Sequence, residues 1–206
     1  YAIETDAAGE RSFTYWRSTS AARTLYDRDR KPDLAGLTHL YYSGIQLAIL
    51  PPKNRARLFA AIGRFRALGG RVAFDSNYRP RLWESRDTAR ATTDHAWHIC
   101  DIALPSLDDE MALFGDPDED AVLQRFSGYA IPEGALKRGA SGPRPLTGPA
   151  PEPPEPVPVR DSTAAGDSFN AGFLAALISG KDTEAAMAAG HRLAARVVQH
   201  PGAIIL

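Results

Sequence analysis

Near the end of the chain a run of small residues, Asp161-Ser-Thr-Ala-Ala-Gly-Asp167, leads through Ser168 into a segment whose apolar residues fall at Phe169, Phe173, Leu174, Leu177 and Ile178. That spacing predicts a helix. The first N–H groups of a helix have no intrahelical acceptor, and a turn of Ala and Gly leaves them uncovered, so the two together form a concave donor site suited to an anion. Its natural occupant is a phosphate or a phosphoryl group in transfer. A carboxylate at the mouth of such a site is locally unfavourable, which makes Asp167 a candidate general base for a hydroxyl that attacks phosphorus. Helix capping is the competing reading, since Asp caps well and suits the positive end of the helix dipole.

The elements that must position this turn alternate along the chain. Leu37 to Gly44 reads as a strand ending in a turn, and Pro51-Pro52 opens a helix with Leu58, Phe59, Ile62, Phe65 and Leu68 on one face, stopped at Gly69-Gly70. Arg71 to Asp75 is a buried strand, Ser85 to Trp97 a helix, Ile99 to Leu104 a strand, and Ser106 to Phe114 an acidic helix start. Strand and helix in turn with short connections predict a parallel sheet covered on both faces, with ligands gathering beyond the carboxyl ends of its strands. Ala135 to Gly142 is a strand turning at glycines, the proline-crowded stretch Pro143 to Pro158 an extended surface hairpin or edge connection, and two antiparallel helices close the chain. At the start, residues 1–16 read as a hairpin that needs strands to pack on.

Composition sets limits. With 206 residues, 44% of them hydrophobic and 24% charged, the chain can bury a real core and is too apolar for disorder. Lys plus Arg number 24 against 25 Asp plus Glu, so no global field attracts nucleic acid or an anionic membrane and any anion site is local. The single cysteine, Cys100, cannot form an internal disulfide and reads as a small buried hydrophobe in a reducing compartment. No stretch approaches the roughly 20 apolar residues of a membrane span; a soluble cytoplasmic protein is expected.

The string Asp161-Ser-Thr-Ala-Ala-Gly-Asp167-Ser-Phe-Asn-Ala-Gly-Phe173 resembles the signature of the ribokinase-like (PfkB) carbohydrate kinases, whose core is written Asp-Thr-x-Gly-Ala-Gly-Asp. The resemblance implies that Asp167 is the catalytic base and that the backbone amides of Ala164, Ala165 and Gly166 form the anion hole. It also implies a three-layer α/β/α fold with a mainly parallel sheet and a small β lid. Ser162 stands where Thr is usual and Ala164 where Gly is more common; a positive φ at position 164 would strain Ala. The sequence looks like the later two-thirds of such a kinase, with residues 1–26 a remnant of the lid hairpin and residues 27–206 the kinase core.

Further segments fit the same family. Asp75-Ser-Asn77-Tyr-Arg79-Pro-Arg81-Leu-Trp83 is similar to the Asp-x-Asn-x-Arg-x-x-Leu-Trp pattern of the members that phosphorylate 2-keto-3-deoxygluconate or fructose. It implies that Asn77, Tyr78 and Arg79 lie between sugar and nucleotide, whereas surface arginines on a turn are the plain alternative. Tyr15-Trp16-Arg17 places Tyr15 and Arg17 on one side of a strand. In the 2-keto-3-deoxygluconate group a Tyr-x-Arg with an upstream Tyr holds substrate, which carries over to Tyr15, Arg17 and Tyr1; an arginine there suits a sugar acid, whose carboxylate it can grip with two bonds. Lys137-Arg-Gly139-Ala-Ser-Gly142 matches a Lys-x-Gly-x-x-Gly turn on the nucleotide, with His191 a candidate beside adenine. Asp109 falls where a metal-associated acid is expected, although capping by Ser106 also explains that string.

The expected activity is ATP-dependent phosphorylation of a sugar acid, 2-keto-3-deoxygluconate to its 6-phosphate. Alternatives are a fructokinase or ribokinase-type neutral-sugar kinase and a non-catalytic nucleotide-binding fragment. The expected cofactors are ATP and Mg²⁺, with a monovalent cation as a further candidate, and the expected assembly is a homo-oligomer, dimer or higher.

Overall fold

The computed structural model describes residues 2–5, 11–14, 19–27 and 31–205, with side chains from residue 19 onward. Strands β1 (Ala2–Thr5) and β2 (Arg11–Thr14) pair antiparallel as a two-stranded sheet of their own. The main sheet has five strands, β3 (His39–Ser43), β4 (Arg71–Asp75), β5 (Ile102–Leu104), β6 (Glu133–Leu136) and β7 (Arg144–Pro145), in that spatial order. The first four run parallel and β7 turns back antiparallel against β6.

Alternation along the strands decides which helices cover which face. Tyr42, Val72, Phe74, Ala103 and Leu136 point to one side, where they join one buried cluster with residues of α1 (Gly44–Ile49), α2 (Pro52–Ala67), α3 (Arg86–His98), α4 (Leu107–Phe114) and α5 (Glu119–Ser127). Trp97 is fully buried there, with its ring edge against Phe74 at 4.5 Å and Phe126 at 5.0 Å. Ala73, Ile102, Leu104 and Ala135 point to the other side, against Phe169, Phe173 and Leu177 of α6 (Ala165–Ile178) and Ala186 and Met187 of α7 (Thr183–Val197). The result is the expected three-layer α/β/α arrangement.

Several expectations need correction. The predicted strand Ile99–Leu104 begins only at Ile102, because α3 runs on to His98 and the Ile99 N–H still bonds the Ala96 carbonyl at 3.3 Å. Residues 37–44 form a shorter strand, and its end is no simple turn. There Ser43 and Gln46 close a reciprocal cap and α1 starts at Gly44. Helix α5 was not anticipated, although Asp118 caps it in the ordinary way by accepting the Ala121 N–H at 2.9 Å. Ser106 occupies the N-cap position of α4 but makes no side-chain capping bond. Its N–H is instead held by Ser76 Oγ at 2.9 Å.

Helices α6 and α7 cross very closely. A Cβ on Gly190 would lie 2.7 Å from the Phe169 carbonyl oxygen, so only glycine allows this approach. The loop that precedes α6 is tied to the far end of α7. The N–H groups of Arg160 and Asp161 both bond the Val198 carbonyl, at 2.8 and 3.1 Å, and the Asp161 carboxylate accepts the Thr163 and Gly202 amides at 2.7 and 2.8 Å.

Candidate active site

The motif turn becomes a helix start at Ala164, which takes the left-handed conformation at φ 61° and ψ 17° as the N-cap residue of α6. The first intrahelical bond runs from the Ser168 N–H to the Ala164 carbonyl at 2.8 Å. Asp167 therefore sits inside the first turn and is not the cap, so the capping reading falls. The amides of Gly166 and Asp167 precede that first bond and are available at the helix end. Ala165 contributes less than expected, since its N–H is taken by the Ser162 carbonyl at 3.2 Å. The Asp167 side chain is exposed and forms no ion pair among the described residues.

Two adjoining hollows meet at this helix end. One, of about 280 Å³, is walled by Asp75, Asn77, Arg79, Asp108, Asp109, Lys137 and residues 164–167. The other, of about 250 Å³, runs past Lys137, Gly139, Gly142, Phe169, His191 and Ala194. Ser106, Asp108, Lys137, Ala165 and Gly166 belong to both, so the end of α6 separates two connected spaces. Both open beyond the carboxyl ends of β4, β5 and β6, where a parallel sheet binds ligands. A larger hollow of about 490 Å³ lies elsewhere, between residues 145–151 and the start of α7. Its walls carry many prolines and no convergence of donors, so size does not locate the chemistry.

The predicted residues are mostly brought together. Asn77 has a strained φ of 31° and leaves Oδ1 buried without a partner among the described residues, a polar atom positioned to meet a ligand. The Arg79 side chain is half exposed on the cleft wall, with Nη1 donating to the Tyr78 carbonyl at 2.9 Å and lying 3.9 Å from Asp109. Arg81, two residues on in the same string, does not line the cleft. The Asp109 carboxylate accepts the Tyr78 N–H at 3.1 Å and the Ser76 hydroxyl at 3.4 Å, and burial raises its pKa. Tyr1, Tyr15 and Arg17 lie outside the described residues.

Lys137 has a role the sequence did not reveal. Its ammonium group bonds Asp75 Oδ1 at 2.7 Å and Asn170 Oδ1 at 3.2 Å, and a Cβ on Gly166 would lie 3.8 Å from it. It thus places positive charge just beneath the helix end. Tyr41 and Asn170 were also missed. Asn170 reads as part of an apolar helix, and only its three-residue offset from Asp167 hints that it shares a face with the carboxylate.

A nucleotide phosphate entering this space meets more carboxylates than cations, because Lys137 is already paired with Asp75 and leaves Arg79 opposite Asp108, Asp109 and Asp167. Mg²⁺ fits that imbalance. It keeps several waters and binds through one or two carboxylates together with substrate phosphates, a role open to Asp108 and Asp109. Among the described residues no group of three or more metal-binding side chains converges.

The sequence comparisons agree with this geometry. The profile of the pfkB family carbohydrate kinases matches residues 1–206. A 2-dehydro-3-deoxygluconokinase of Dickeya dadantii is 43% identical, over 100% of this chain and 69% of its own length. The enzyme of that name from Escherichia coli K12 is 41% identical, over 100% of this chain and 70% of its own. Among solved structures, a Vibrio cholerae fructokinase with fructose, ADP and calcium bound superposes with a TM-score of 0.74 at 25% identity. That superposition covers 84% of this chain and 58% of the fructokinase. The chain thus spans about two-thirds of these sequence relatives and less of the structural one. With a profile match along its whole length, an α/β/α fold and an exposed aspartate at the amide end of α6, the chain belongs to the pfkB family of carbohydrate kinases.

Proposed function

We propose that this chain carries the catalytic and nucleotide-binding part of a kinase that transfers the γ-phosphoryl group of ATP to a hydroxyl of 2-keto-3-deoxygluconate, giving the 6-phosphate. The observation that carries the reading is Asp167, exposed and without an ion pair among the described residues, beside the amides at the start of α6 where two connected hollows meet. The nucleotide lies along Lys137, Gly139, Gly142 and His191 with its phosphates towards Gly166. Asp167 takes the proton of the attacking hydroxyl as its oxygen forms the bond to the γ-phosphorus, and the bond from that phosphorus to the β-bridging oxygen breaks to release ADP. The amides of Gly166 and Asp167, with Lys137 beneath them, stabilise charge that grows on the phosphoryl oxygens. Bound Mg²⁺ supplies charge neutralisation at the nucleotide phosphates. Arg79, with Arg17 and Tyr15 as the resemblance implies, orients the substrate carboxylate.

The choice of a sugar acid over fructose rests on the higher identity to the gluconokinases, 43% and 41% against 33% and 34% for bacterial fructokinases, and on Arg79 at the cleft wall. Turnover of the two sugars side by side tests that choice: 2-keto-3-deoxygluconate is the better substrate, and a preference for fructose would reverse it. Asp167→Asn tests the base. It should lower kcat by about 10²- to 10⁴-fold while calorimetry finds ADP affinity within about twofold of the unaltered chain. Near-normal turnover in that variant removes Asp167 from the mechanism.

A further inference from the structure

We propose that Tyr41 and Asn170 are positioning residues that hold Asp167 in place through a closed hydrogen-bond ring with Asp75 and Lys137. The inference deepens the kinase reading and rests on it. The ring is built from four separate elements. The Tyr41 hydroxyl donates to Asp75 Oδ2 at 3.2 Å, Lys137 Nζ donates to Asp75 Oδ1 at 2.7 Å and to Asn170 Oδ1 at 3.2 Å, and Asn170 Nδ2 donates back to the Tyr41 oxygen at 3.2 Å. Strand alternation makes this possible. Tyr41 and Asp75 are one residue out of step with Tyr42 and Phe74 of the opposite cluster, and Lys137 is two residues beyond Ala135 of the α6 cluster.

Asn170 and Asp75 are each only 2% exposed, so their polar groups have no water to fall back on. Leaving one of them unpaired forfeits its hydrogen bonding without compensation from solvent, a penalty that favours one rotation of α6. The apolar contacts of Phe169, Phe173 and Leu177 and the close crossing with α7 hold the helix against the sheet, and the ring adds directional bonds to them. Asn170 lies three residues beyond Asp167 and shares its face of the helix, so the ring transmits its registration to the carboxylate. Burial first, then the charge of Asp75, raises the Tyr41 pKa and keeps the phenol a donor. Neither Tyr41 nor Asn170 lines either hollow.

The test is steady-state kinetics with Mg²⁺, ATP and 2-keto-3-deoxygluconate on the unaltered chain, Tyr41→Phe, Asn170→Ala and the double variant, with melting curves for each. Each single variant should lose about tenfold in kcat or more, with both KM values within about twofold. The double variant should be no slower than the worse single, since both act through one ring. Unchanged kcat in Tyr41→Phe, which deletes only a hydroxyl and stays folded, overturns the proposal even if Asn170→Ala fails to fold. A loss that appears in KM, or only as lowered Tm, overturns it too. If the unaltered chain transfers no phosphoryl group, the kinase reading fails separately and the ring is judged by amide exchange at Ser168 and Phe169. About tenfold faster exchange in Tyr41→Phe supports the ring, and unchanged exchange overturns it.

Discussion

At position 164 the chain turns left-handed with a side chain attached. That conformation costs an L-residue about 1–2 kcal/mol, more than the roughly 0.4–1 kcal/mol that a glycine would add to the freedom of the unfolded chain. Ala164→Gly should therefore raise Tm by about 1–3 °C and leave turnover intact. A lower melting temperature would show that the methyl group makes a compensating contact. The strain was foreseeable from the residue type once a positive φ was suspected. What could not be foreseen was that Ala164 would take the cap position and leave Asp167 inside the first turn. That placement follows from the Ser168 to Ala164 hydrogen bond, a local detail that no residue spacing specifies.

Helices α4 and α5 are joined by a buried charge cluster. The Arg125 guanidinium lies over the Phe114 ring and bonds Asp116 at 2.6 Å and Glu110 at 3.0 Å. Glu110 is fully buried with Oε1 unpaired among the described residues, and burial pushes its pKa up from 4.5 to about 8 against the opposing pull of Arg125. Since the folded state holds this proton to higher pH than the unfolded chain, Glu110 favours folding most below pH 4.5, and that contribution is lost as pH rises through about 8. Melting curves from pH 5 to 9 should show Tm falling in the unaltered chain and falling less in Glu110→Gln. Identical slopes would exclude Glu110 as the source. Helix α5 escaped the sequence reading because its buried apolar residues are only Val122 and Phe126, too few to show a helical period. The string Asp116-Pro117-Asp118-Glu119 carried the usual signature of a helix start and could have revealed it.

Across the whole molecule, the hollow that the proposed kinase reading gives to the nucleotide lies between the α6 end on one side and the β6 turn with the start of α4 on the other. A ligand that bridges them should resist unfolding by mass action, by about 2.7 kcal/mol when present at a hundred times its Kd. ADP with Mg²⁺ is expected to raise Tm clearly, whereas ADP with a chelator is expected to raise it little, because the surplus of carboxylates then repels the phosphates. Equal stabilisation with and without Mg²⁺ would count against the metal's place in this site. The sequence alone determined the order of strands and helices, the small-residue turn ahead of an apolar helix and the candidate carboxylate within it. These features depend on residues close together in the chain, where periodicity and turn chemistry act. Only the tertiary structure decided that Lys137 faces Asp75 and that Tyr41 reaches Asn170, 129 positions further along. It also decided that Arg81 stays out of the cleft while Arg79 lines it. Such pairings depend on strand order and on which face of the sheet each helix covers, and the chain settles both only when it packs.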